Sequence, residues 1–142
     1  MSSVQKKIAI VPCSGIGKPY GTVSRVAAYM VTEDYVSELT KLVPLALLVM
    51  GDEEYGRIIA ENPAITIDGC PQACATKMVL QCGGTVLQEC SVLGTNRNHR
   101  DLKPQGIAEL NEDGEKLADA LAQEIVAVID ACGQPSKGGD HA

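Results

Sequence analysis

Two cysteines stand four residues apart in Asp68-Gly69-Cys70-Pro71-Gln72-Ala73-Cys74-Ala75. The segment follows an apolar run at 64–67 and opens a stretch, 70–81, that reads as a helix closed by Gly83-Gly84. Helical spacing predicts that both thiols share one face in the first turns. Unpaired N–H groups and the positive dipole end at such a position favour thiolate over thiol. Thiolate is the form that binds metal, attacks an electrophile or is oxidised. Four further cysteines complete the set: Cys13, Cys82, Cys90 and Cys132. Cys13 directly follows the first apolar run, and Cys90 closes another.

The elements that must position these thiols alternate. Residues 7–12 (KIAIVP) form a short β-branched run of the kind buried on both faces of a sheet. A glycine-rich loop, Cys13-Ser14-Gly15-Ile16-Gly17-Lys18, leads to a helix capped by Thr22 or Ser24 and expected to continue to about residue 43. Pro44 interrupts. Residues 52–61 read as a second helix, stopped by Asn62-Pro63. Strands follow at 64–67 and, after the cysteine helix, at 85–90. Residues 93–103 read as polar and irregular, and 112–131 as an amphipathic helix with Leu117, Leu121, Ile125, Val128 and Ile129 on one face. This order predicts an α/β fold, a three-layer sandwich around a mostly parallel sheet. We expect one domain over 1–133, with a core at about 7–103, a C-terminal helix at about 112–132 and a disordered tail at 134–142.

Parallel sheets gather ligands at the carboxyl ends of their strands. Cys13, Cys70 and Cys90 fall at three such ends, and Cys74 joins them from the adjoining helix. Strands lie about 4.8 Å apart, and tetrahedral zinc needs its sulfurs within roughly 4 Å of one another, so these four are the candidate ligands. Cys82 is excluded by length: in one helix it would lie about 18 Å along the axis from Cys70 and about 12 Å from Cys74. Cys82 and Cys132 therefore read as small buried hydrophobes, and His99 and His141 as surface histidines. The glycine-rich loop fails as a Walker A motif, because Pro12 stands where the first glycine belongs and Pro19 follows Lys18. Its simplest role is to shape the Cys13 site through Ser14 and Gly15.

Composition narrows the classes further. The 142-residue chain carries a net charge of −6 and no Lys/Arg cluster appears, which argues against nucleic acid and anionic membranes. The longest apolar run, 42–50, is too short to span a bilayer; it is either core or a subunit interface, which leaves a homo-oligomer open. The first residues lack the apolar region of a secretory signal, so a cytoplasmic location is expected, where cysteines are reduced, metal-bound or catalytic.

Cys13-Ser14-Gly15 after the first strand, with Ile67-Asp68-Gly69-Cys70-Pro71 and Cys74-Ala75 some sixty residues later, resembles the DGC-domain family of small prokaryotic proteins. The resemblance spans about residues 7–103. It implies a zinc-binding protein with Cys13, Cys70 and Cys74 as ligands and with Asp68 and Gly69 shaping the turn. It also implies a further cysteine in the middle segment. Here that segment, 42–48, has none, and Cys90 is our substitute for it. Without Cys90, three thiolates leave an open position, which suits an exchangeable or catalytic metal.

Two functions follow. The first is a cysteine-cluster metal-binding protein, with zinc or alternatively an iron–sulfur cluster, serving metal handling or a redox or cofactor-maturation system. The second is a thiol redox or sulfur-carrier protein that needs no cofactor and uses Cys70, Cys74 and Cys13. Whether the protein is an enzyme stays open.

Overall fold

The computed structural model describes residues 7–13 and 17–133. Four parallel strands form one sheet: β1 (Ile8–Pro12), β2 (Thr40–Leu42), β3 (Pro63–Asp68) and β4 (Thr85–Ser91), in the order β2-β1-β3-β4. Among the described residues six α-helices cover it: α1 (Pro19–Tyr29), α2 (Leu45–Val49), α3 (Glu53–Glu61), α4 (Cys74–Gln81), α5 (Val92–Arg97) and α6 (Glu112–Gly133). The expected α/β sandwich with a parallel sheet is present.

Alternation along the strands builds a separate core on each face. Ile10, Ile65 and Ile67 meet Val23, Ala27 and Ala28 of α1 and Leu117, Leu121, Ile125 and Ile129 of α6. Ala9, Val11 and Ala64 meet Leu48, Ile59 and Val79 from α2, α3 and α4. Every one of these side chains is within 2 % of complete burial, so the aliphatic composition suffices to fill both layers without Phe or Trp.

Four local expectations are corrected. The first helix does not run to residue 43: α1 widens into a π-helical turn at Met30–Tyr35 and then yields to β2. The Tyr35 hydroxyl donates to Asp119 of α6 and anchors that turn. Neither Thr22 nor Ser24 caps α1. Pro19 occupies its first turn, where the missing N–H costs nothing, and both hydroxyls lie buried within the helix. The stretch 93–103 is not wholly irregular, because Ser91 caps α5 by accepting the Gly94 N–H at 3.1 Å. Cys132 is exposed rather than buried, and Cys82 is half-buried against the α3–α4 core. Residues 42–50 divide: Val43 and Leu48 are core, whereas Val49 and Met50 are 65 % and 72 % exposed. Among the described residues no helix is long and apolar enough to cross a membrane. The tail at 134–142 lies outside the described residues.

Candidate functional site

The sheet order reverses direction between β1 and β3, and the carboxyl-end crevice at such a switch point is where open α/β sheets hold ligands. Cys13 sits there. Its N–H donates to the Ile67 carbonyl at 2.8 Å, extending the β1–β3 ladder by one residue. Its Sγ accepts the Gly69 N–H at 3.3 Å and lies 3.3 Å from Ser24 Oγ. Ser24 in turn donates to the Gly21 carbonyl at 2.8 Å. A hydroxyl has one proton, so with Ser24 committed to Gly21 the Cys13 thiol donates to Ser24. Were Cys13 a thiolate, the same proton could turn to the sulfur while the Gly69 bond persists. Cys13 also lines a cleft of about 300 Å³ bordered by Pro12, Tyr29, Leu42 and Leu45.

Asp68 ends β3 facing α4. Its Oδ1 accepts the Ala75 N–H at 2.8 Å, and its Oδ2 accepts the Thr76 N–H at 3.2 Å and the Thr76 hydroxyl at 2.9 Å. Thr66 and Thr76 share a further hydrogen bond of 2.6 Å. Asp68 thus caps α4 from a distance, because the residue at the cap position, Ala73, has no side-chain acceptor and adopts a left-handed conformation, φ 52°. This relocates the helix start. Cys70 and Cys74 do not occupy successive turns of one helix; residues 70–73 form a turn, and Cys74 is the first helical residue. Pro71 disfavours helical backbone at Cys70, and the Asp68 carboxylate, by taking the Ala75 and Thr76 N–H groups, sets the first turn at Cys74. Both thiols are exposed.

Gly69 has a different task. A Cβ there would lie 3.0 Å from the carbonyl carbon and oxygen of Tyr20 and 3.1 Å from the Gly21 nitrogen. Only glycine lets the start of α1 press against the turn while its own N–H points at Cys13.

Cys90 lies apart. It pairs with Ile67 and packs into the α1–α6 core at 9 % exposure, whereas Cys13 belongs to the α2–α4 core on the other face. The cause is a register shift in β4. Ala64 pairs with Val86 but Ile65 pairs with Gln88, so the strand gains a residue and every later side chain changes face. Burial, and then the charges of Glu124, Asp68 and Glu89, push the Cys90 thiol up to about 12. Among the described residues no group of three or more His, Cys, Asp or Glu side chains is placed to hold a metal ion. The predicted shaping residues Ser14 and Gly15 lie outside the described residues.

The family model for the DGC domain matches residues 9–125. The chain belongs to the DGC domain family. No curated protein and no solved structure matches it. The match runs beyond the expected 7–103 to residue 125, so the first part of α6 falls within the DGC domain. The motif that names the family has a physical reading in this DGC domain. Asp68 starts α4, Gly69 admits α1 and reaches Cys13, and Cys70 is carried outward on the turn between them. Family membership is consistent with metal binding.

Sequence reasoning missed Ser24, Thr66 and Thr76, the hydroxyls that support Cys13 and Asp68. Ser24 was legible only as a helix cap, since nothing local signals that its partner is a cysteine eleven residues earlier.

Proposed function

We propose that this DGC domain is a thiol-based metal-binding protein, that Cys13, Cys70 and Cys74 are its ligands, and that zinc is its metal. The carrying observation is the Gly69 N–H bond to Cys13 Sγ, which couples the buried strand-end thiol to the turn that bears Cys70. An N–H and a hydroxyl around one sulfur are the outer partners that orient a ligating thiolate. Soft thiolates on a d¹⁰ ion favour zinc, although an iron–sulfur cluster accepts the same donors. When bound, the metal would supply a Lewis-acid centre and a link between turn and strand end. Three protein thiolates would leave a fourth position open to an incoming ligand. We leave Cys90 out of the ligand set because it lies on the opposite face and is held as a thiol. A role in metal handling, or in supporting a redox or cofactor-maturation system, follows from an exchangeable site of this kind.

The test is metal content and absorbance of protein purified anaerobically without chelator. About one equivalent of zinc is expected in the parent, falling to trace levels in Cys13→Ser and Cys70→Ser but retained in Cys90→Ser. Visible absorbance would replace zinc by a cluster, and trace metal in the parent would sink the reading.

The exposure of both Cys70 and Cys74 favours a second reading, a dithiol that cycles to a disulfide. Loss of two hydrogens from metal-free protein after mild oxidation, mapped to a Cys70–Cys74 peptide, would support it.

A further inference from the structure

A cleft of about 610 Å³ opens between the start of α1, helix α5 and the loop that follows it. Arg97, Arg100 and Lys103 line it together with Tyr20, Leu93 and Leu102. The chain carries 18 acidic residues against 12 Lys and Arg, so a cation has many carboxylates available. Yet among the described residues none of the three cleft cations has a carboxylate partner within 4 Å. Arg97 lies in the last turn of α5, where the helix dipole accounts for a positive charge. Arg100 and Lys103 lie beyond the helix, so the dipole does not account for them.

The loop that bears Arg100 and Lys103 is built rather than loose. Asn96 accepts the Tyr20 hydroxyl at 3.0 Å and donates to the carbonyls of His99 at 3.3 Å and Leu102 at 3.2 Å. The Lys103 N–H donates to Asp113 at 3.0 Å, and Asn111 donates to the Lys103 carbonyl at 3.1 Å. The nearby Asp113 carboxylate is therefore engaged by backbone, and the loop is tied to α6 as well as to α1.

We propose that this cleft binds a phosphate-bearing small molecule through Arg97, Arg100 and Lys103. A phosphomonoester presents three acceptor oxygens and up to two negative charges at neutral pH, which suits two guanidinium groups and an ammonium lining one cleft better than a single carboxylate does. Leu93, Leu102 and the Tyr20 side chain offer an apolar wall for the rest of the molecule. Three of the chain's 12 Lys and Arg residues line this one cleft on a chain of net −6, which fits a small ligand and not a nucleic-acid backbone. The site stands independently of the cysteines, but Tyr20 joins the two: its side chain lines the cleft and its backbone abuts Gly69.

The experiment is calorimetric titration of the full chain with AMP, inorganic pyrophosphate and citrate, with thermal melting alongside. AMP and pyrophosphate are expected to bind and to raise the melting temperature. R97Q/R100Q should weaken both about tenfold or more, while K41Q/R57Q, which removes the same charge from exposed positions elsewhere, should leave binding unchanged. Arg100→Glu, an exposed side chain whose loss does not threaten folding, should abolish binding. The proposal is overturned if neither phosphate probe binds at millimolar concentration, if citrate binds more tightly than both, or if the two double variants weaken binding equally.

Discussion

At the scale of single residues, Asp68 and Cys13 both lie in the interior at the carboxyl edge of the sheet, each in a different environment. Asp68 is 4 % exposed, and both its oxygens accept hydrogen bonds from the first turn of α4. Removing that carboxylate strands the Ala75 and Thr76 N–H groups and the Thr76 hydroxyl. Asp68→Ala is therefore expected to cost about 2–3 kcal/mol, more than an exposed cap, because the stranded donors are buried. Urea denaturation checks it, and a cost below about 0.5 kcal/mol would show that the cap is dispensable. Cys13, by contrast, holds its sulfur against one N–H and one hydroxyl, an arrangement that serves a thiol and a thiolate alike. The cysteine types and their strand-end positions were legible in the sequence. Their hydroxyl partners were not, because Ser24 and Thr76 are ordinary helix residues until the fold brings them to Cys13 and Asp68.

At the scale of elements, the close approach of α1 to the turn at 69 decides the site. Gly69→Ala would put a methyl group 3.0 Å from backbone atoms of Tyr20, and backbone cannot rotate away as a side chain can. The expected cost is about 1–3 kcal/mol, together with faster alkylation of Cys13 as the Gly69 N–H is levered off its sulfur. Lost stability without any change at Cys13 would separate the two effects and place Gly69 outside the site. The strands of long apolar runs and the amphipathic α6 were readable, since period and length point the same way in them. The three-residue β2 was not: its residues, Thr40, Lys41 and Leu42, carry no periodicity of their own and pair with β1 only through register. The helix start at Cys74 was hidden for a similar reason, since Asp68, the residue that sets it, lies six positions upstream.

At the scale of the whole molecule, the two faces of the sheet separate the chemistry. The face bearing α3 and α4 carries Cys13 and Asp68, and the face bearing α6 encloses Cys90. With its folded-state value raised to about 12, Cys90 keeps its proton in the native chain after the unfolded chain, near 9.0, has lost it. The unfolded state then binds fewer protons, so stability is full below pH 9 and falls as pH rises toward 12. In metal-free protein this group contributes a slope of at most about 1.4 kcal/mol per pH unit. Urea denaturation at pH 7, 9 and 10.5 should show a shallower decline in Cys90→Val than in the parent; equal declines would show that burial does not hold this thiol.

The sequence by itself determined the α/β class, the aliphatic character of both cores and the position of Cys13 at a strand's carboxyl end, because strand length, helix period and residue type are local properties. Tertiary structure decided which thiols share a face. One extra residue in β4 turns Cys90 away from Cys13, and no local pattern announces a bulge when the residues on either side of it are all compatible with a strand. Tertiary structure also converted residues 97–103 from an apparently irregular polar stretch into a cationic cleft, since only the packing of α1 against α5 sets Tyr20 beside three unpaired positive charges.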